Sequence, residues 1–293
     1  LAETVGIVKE TWNEFSEDNC GTYAASLAYY TVFSLPAALL ILVKIAGMFF
    51  GEAAIKGQLQ GQLASSMGPQ VASEIGTMIS NAAKNTSGGT IAIILGILGL
   101  AWSASNVTSQ LQSALNRAWG VRRNSGIAGV LVKRILSFLL IVGIGLLVIA
   151  ALAAAASVTA FSRSLGLPAA ALQAGDAVVS FIIFVFLFGA VYKVIPDASV
   201  AWSDVFTGAV LTAALFVIGK FLIGFYIAHT SAGSAYGVAG SLALLLLWTY
   251  YSSMIFLFGA EFTQVWGRRH GKRIEPDSHA VRITEEERPR NAA

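Results

Sequence analysis

Polar side chains recur at helical spacing inside runs that are otherwise apolar, and these are the residues equipped to do chemistry. Ser103, Asn106, Gln110, Ser113 and Arg117 follow at 3-4-3-4 spacing, which places them on one face of a helix. Ser105, Ser109, Gln112 and Asn116 form a neighbouring stripe, while Val107, Leu111, Ala114 and Ala118 hold the opposite side. Burying an amide or hydroxyl without a partner costs roughly 2–7 kcal/mol, so such a face is not turned to lipid. The groups bond to other helices, line a wet vestibule, or belong to a helix end that has already left the bilayer.

Three charges sit inside apolar runs. Lys44 is close enough to the end of its run for its ammonium to snorkel outward. Lys220 lies deeper, where a lysine costs about 2.5–3.5 kcal/mol on the insertion scale, and that cost favours a partner, a cavity or an anionic ligand. Glu261 closes the last run, within reach of Arg117 or the Arg268-Arg269 pair, and suits an ion pair or a proton-coupling group. Tyr30 and Ser34 precede Pro36, which bends a helix or frees a backbone carbonyl, as an ordinary kink or as the break of a binding site. These readings make Tyr30, Ser34, Lys44, Ser103, Asn106, Gln110, Lys220 and Glu261 the candidate polar pathway.

Enzyme signals are absent from the pattern. There is no Gly-rich phosphate loop, no metal-ligand cluster and no serine elbow, so no catalytic residue, metal or cofactor is expected. Cys20 is the single cysteine and supports neither an internal disulfide nor a zinc cluster. Residues 1–21 are polar and acid-rich, unlike a cleaved signal peptide. The basic segment 117–134 is accounted for by membrane topology without nucleic acid.

The elements that must position these residues follow from charge distribution. Of 293 residues 56% are hydrophobic and only 12% are charged, against roughly 25% charged in soluble domains. Residues 91–116, 136–161 and 178–192 carry no charge, and 24–50 carry only Lys44. Runs of about 20 apolar residues cross a bilayer, and continuous rather than alternating runs mean helices. The expected fold is all-α, a polytopic membrane bundle of six transmembrane helices at about 24–50, 91–116, 136–161, 178–196, 205–228 and 238–263. A basic excess of 11 to 3 between the two sides (Lys9, Arg117, Arg122, Arg123, Lys133, Arg134, Lys193, Arg268, Arg269, Lys272 and Arg273 against Lys56, Lys84 and Arg163) places both termini in the cytoplasm.

The first outer loop carries two amphipathic patterns, Ile55-Leu59-Leu63 and, after Gly68-Pro69, Val71-Ile75-Met78-Ala82. They predict two short helices lying on the outer face. Val5, Val8, Trp12 and Phe15, set against Glu10, Glu14, Glu17 and Asp18, predict a similar inner-face helix. The organisation is an amphipathic cytoplasmic segment (1–22), a six-span domain (23–266) and a basic tail (267–293) that is expected to be disordered after Pro276. Gly143, Gly145 and the Ala150–Ala156 run make span three a close-packing surface.

Four blocks, in order, resemble the YihY/BrkB family of membrane proteins. They are Ala24-Ala25-Ser26-Leu27-Ala28-Tyr29-Tyr30-Thr31 with Ser34-Leu35; Asn116-Arg117-Ala118-Trp119-Gly120-Val121; Tyr192-Lys193-Val194-Ile195-Pro196-Asp197 with Trp202, Gly208-Ala209 and Lys220; and Tyr236-Gly237, Gly240-Ser241, Leu247-Trp248-Thr249-Tyr250-Tyr251 and Gly259-Ala260-Glu261. Pro36 directly after Ser34-Leu35 departs from the pattern. The resemblance implies a bacterial inner-membrane protein with six spans and cytoplasmic termini, and a family linked by name to virulence and to a ribonuclease BN label. That label fits poorly, because a phosphodiesterase needs metal ligands or an acid–base pair outside the lipid. The function expected is a transporter or lipid-translocating protein for an anionic or amphipathic substrate; the alternative is a non-transporting envelope scaffold or assembly factor. The partners expected are membrane lipids and an anionic lipid or small molecule, with no nucleic acid; a homo-oligomer is compatible.

Overall fold

The computed structural model describes residues 2–67, 69–85, 106–123, 143, 169–229, 238–270, 274–277 and 280–283. Span two up to residue 105, with Ser103, and span three apart from residue 143 lie outside the described residues. The helices are α1 (Ala2–Glu17), α2 (Cys20–Phe50), α3 (Glu52–Met67), α4 (Pro69–Asn85), α5 (106–118), α6 (Ala169–Val194), α7 (Trp202–His229) and α8 (Val238–Arg269). Among the described residues the protein is all-α apart from four very short strands: β1 (Val121–Arg123), β2 (Ala198–Ser199), β3 (Glu275–Pro276) and β4 (Ala280–Arg282).

Apolar length sets the long helices. α2 continues through Pro36 for 31 residues, about 46 Å at 1.5 Å per residue. Among the described residues, two segments pass a length-and-hydropathy test for crossing a membrane: Trp202–Gly219 and Leu242–Arg269, with mean hydropathies of 1.6 and 1.7. That is a narrower result than the six spans expected from the sequence.

α7 and α8 pack through small residues. The hydroxyl of Thr212 donates to the Gly208 carbonyl at 2.7 Å, and that of Thr263 to the Gly259 carbonyl at 2.7 Å. Each threonine faces the glycine of the other helix, and a Cβ on Gly208 or Gly259 would collide with the facing hydroxyl. Close backbone approach of this kind replaces hydrophobic drive between helices in an apolar solvent.

Two cores result. One, at the end of the bundle that carries the termini, gathers Leu27, Leu115, Trp119, Tyr192, Val205 and Leu257 from α2 and α5 to α8. The other, at the far end, joins Val32, Leu39 and Leu40 of α2 to Ile75 and Ile79 of α4 and to Leu244 and Leu245 of α8. Leu59 and Leu63 of α3 pack against it. Both loop helices form, but they pack into the bundle rather than lie only on a surface. The buried side of α4 is Ala72, Ile75 and Ile79, a step away from the Val71-Ile75-Met78-Ala82 stripe.

Beyond Pro276, where disorder was expected, Ala280–Arg282 forms a strand; the residues after 283 lie outside the described residues. β4 pairs antiparallel with β1, Val121 opposite Arg282, and β3 pairs with β2, Ala198 opposite Pro276. The Ile283 amide donates to the Gly120 carbonyl at 2.8 Å, and Arg282 Nη2 to the Ile274 carbonyl at 2.7 Å. Low average hydrophobicity hid the pairing, since a two-residue ladder needs backbone partners and not an apolar run.

Candidate functional site

The motif-bearing segments meet at the terminal end. α5 turns its second polar stripe, not its first, into the protein. Gln112 Nε2 donates to the Ile195 carbonyl at 2.9 Å. Asn116 uses both ends of its amide: Nδ2 donates to Asp197 Oδ2 at 2.9 Å, and Oδ1 accepts the Asp197 amide at 2.8 Å. Asp197 is fully buried and its carbonyl accepts the Asp277 amide at 3.0 Å, so one residue joins α5, the α6–β2 link and the tail. Pro196 ends the helical run and lets that link turn back.

Tyr192, also fully buried, hangs its hydroxyl between Thr212 Oγ1 (3.0 Å) and the Phe256 carbonyl (2.5 Å). Lys193 Nζ donates to the Val200 carbonyl at 2.5 Å and lies 5.6 Å from the centre of the Trp202 ring.

Buried charge gathers beside this lock. Arg117 Nε sits 3.1 Å from Asp18 Oδ1, with side chains only 15% and 1% exposed. Glu261, with no exposure, accepts a hydrogen bond from the Cys20 thiol at 3.2 Å. The charges of Glu261, Asp18 and Arg117 all bear on that thiol. Arg117, foreseen as a partner of Glu261, pairs with Asp18, and the Arg268-Arg269 pair reaches α1. Arg268 bridges Glu10 and Glu14, and Arg269 Nε donates to Glu10 Oε2 at 2.8 Å, which docks α1 on α8. Partial burial of Glu10 works against its charge, but hydrogen bonds from Arg268 and Arg269 outweigh it and hold its carboxyl below the usual range.

Two cavities flank the lock. A volume of about 580 Å³ is lined by Tyr23, Ser113, Asn116, Arg117, Val121, Arg122 and Ile283. A second, of about 420 Å³, is bounded by Lys193, Trp202, Asp204, Ile274 and Glu275 among others. The tail crosses both, with Ile274 and Glu275 in one wall and Ile283 in the other.

The sequence-derived candidates are only partly united. Asn106 and Gln110 are half-buried on the face of α5 that continues to Ser113 and Arg117 in the larger cavity. Tyr30 is half-buried against Tyr29, and the buried Ser34 returns its hydroxyl to the Thr31 carbonyl at 3.1 Å. Lys44 lies toward the other end of α2, paired with Glu52 at 2.6 Å, and that hydrogen bond holds the exposed Glu52 carboxyl below its ordinary value. Lys220 belongs to α7, and its side chain lies outside the described residues. Asp18, Cys20, Gln112 and Asp197 were missed as site residues, although Asp197 and Asn116 both stand in the quoted motif blocks. Among the described residues no group of three or more His, Cys, Asp or Glu side chains is placed to hold a metal ion.

Residues 11–284 match the family described as Virulence factor BrkB. A UPF0761 membrane protein of Ralstonia nicotianae is 30% identical over 251 residues, covering 83% of this chain and 55% of its own length. The chain therefore spans about half of that relative. A UPF0761 membrane protein of Pseudoalteromonas atlantica is 26% identical, with 86% of this chain and 83% of the relative covered. A Bacillus subtilis protein named as ribonuclease-like, YfkH, is 24% identical, with 90% and 96% covered. No solved structure matches. With a profile match running from α1 into the tail and embracing every residue of the Asn116–Asp197 lock, the chain belongs to the BrkB family of membrane proteins.

Proposed function

We propose that the chain is a six-span bacterial inner-membrane protein, with its termini in the cytoplasm, that moves an anionic or amphipathic substrate such as a lipid through the bilayer. One observation carries this reading: the Asn106-Gln110-Ser113 face of α5 leads along the helix into a cavity edged by Arg117 and Arg122. A polar face that ends in a positively charged mouth is what a wet inner vestibule for an anion requires. Lys220 would draw the substrate from the other half of the bilayer, and Glu261, buried beside Cys20, would close or couple the route. The tight Gly/Thr contact of α7 with α8 argues for a route on the α5 side and not between those two helices.

The test is reconstitution of the full chain into liposomes, with reporter-lipid translocation and solute flux measured against empty vesicles. The expected outcome is lipid movement above background, reduced about tenfold or more by Gln110→Leu, since a hydrogen bond lost to a charged group is worth about 1.5–3 kcal/mol. Movement no faster than in empty vesicles ends the proposal. Full activity of Lys220→Met removes that lysine from the route.

The alternative, a non-transporting envelope scaffold, is favoured by the extent of the interlock at the terminal end, where one buried aspartate ties three segments. It predicts stable co-purifying envelope proteins and inert liposomes.

A further inference from the structure

The larger cavity at the terminal end carries more than a charge. Arg117 enters it from the last turn of α5, and Arg122 enters from β1, five residues later. Asp18 is buried behind Arg117 and takes its Nε, so the guanidinium is held from the protein side. An arginine has five N–H donors in a rigid fork, more than the one Nε contact uses, and Arg117 lines the cavity. Tyr23 adds a phenol to the wall, whereas the Ser113 hydroxyl spends its proton on the Ser109 carbonyl at 2.7 Å and is no donor to a bound anion.

This donor set suits a tetrahedral oxyanion. A carboxylate is planar and is satisfied by one bidentate arginine, whereas a phosphate presents three or more oxygens and takes donors from several directions. A volume of about 580 Å³ lies within the roughly 300–1,000 Å³ range of small-molecule sites.

The level of the cavity points the same way. Tyr23 is four residues into α2, and the lipid-type exposure of that helix begins at Tyr29 and Phe33, 56% and 58% exposed, about 9 Å further along. Trp12 and Trp202, both exposed, stand at the same end, as indoles do at a membrane–water boundary. A cavity just below the first lipid-facing ring lies where headgroup phosphates lie.

We infer that the cavity between Tyr23, Ser113, Arg117 and Arg122 is a recognition site for a phosphate group, either the headgroup of a phospholipid or a free phosphate monoester, with Ile283 of the tail in its wall. The role of the site in cargo selection rests on the translocation reading; the identity of its ligand rests on the cavity alone.

The experiment is equilibrium binding to the purified full chain. In detergent, sn-glycerol 3-phosphate is compared with glycerol; by native mass spectrometry, phosphatidic acid is compared with diacylglycerol of the same chains. The phosphate-bearing member of at least one pair should bind and its phosphate-free partner should not. Binding of the lipid alone identifies a headgroup site, and binding of both phosphates identifies the group itself. Arg122→Gln, at an exposed position, should weaken binding by about ten- to a hundredfold in a protein that still unfolds cooperatively, and Tyr23→Phe should weaken it as well. Equal binding within both pairs, or wild-type affinity in Arg122→Gln, overturns the inference. Phosphate binding in a protein that moves no lipid removes the translocation reading and leaves the site; flux without any phosphate preference removes the site and leaves translocation.

Discussion

Asn116 and Asp197 stand 81 residues apart in sequence, yet each completes the other's hydrogen bonding with two contacts of 2.9 and 2.8 Å. Both are almost wholly buried. Leaving a buried polar group unpaired costs about 1–3 kcal/mol, and more for a charged one. Asp197→Ala and Asn116→Ala should therefore each lower stability by about 2 kcal/mol, read as a lower thermal midpoint in detergent. Their double variant should cost clearly less than the sum, because the second change strikes a contact already lost. Strict additivity would mean that the two residues do not act as a pair. Both residues were visible in the motif blocks, but spacing along one helix drew attention to Asn106 and Gln110 instead. Periodicity reports which residues share a face; it does not report which face finds a partner.

At the scale of elements, α1 shows the same division. Its helix was legible but its buried face was not: Val5, Val8 and Trp12 are exposed, whereas Ile7, Thr11 and Phe15 are buried together with the acids Glu14 and Asp18. Which acids fix it was not legible either: Glu10 and Glu14 reach residues of α8 more than 250 positions away. Because the carboxyl of Glu10 is held below the usual range by Arg268 and Arg269, the linkage has a definite sign. Docking of α1 is at full strength above the ordinary glutamate value of about 4.3 and is lost as pH falls through the lower, folded value. Hydrogen exchange along α1 should be unchanged between pH 7 and pH 5 after correction for intrinsic rates, and should quicken below about pH 4. Arg268→Ala should produce the faster exchange already at pH 7. An α1 equally protected in wild type and Arg268→Ala would show that packing of Ile7 and Phe15 alone secures the helix.

For the whole molecule, the basic excess of 11 to 3 sets an expected orientation that contact geometry cannot supply, since a bundle packs alike either way up. The sole cysteine is buried, so the wild-type protein offers little background for thiol labelling. Ser80 of α4 and Ser199 of β2 are exposed at opposite ends. In spheroplasts, an impermeant maleimide should label Ser80→Cys and spare Ser199→Cys; the reverse pattern would invert the topology and with it the cytoplasmic placing of the arginine-edged cavity. What the sequence by itself determined was the class: charge scarcity and continuous apolar runs required membrane helices, and period 3.6 placed α1, α3 and α4 within a few residues. What only the tertiary structure decided was the site. Two short stretches of the tail became strands, Asp18 was buried against Arg117 and Asp197 against Asn116, and Arg117 and Arg122 came to share one cavity. The reason is physical: solvation is a local property that each segment carries in its own composition, whereas hydrogen bonding and ion pairing are satisfied between segments and take form only when the chain brings them together.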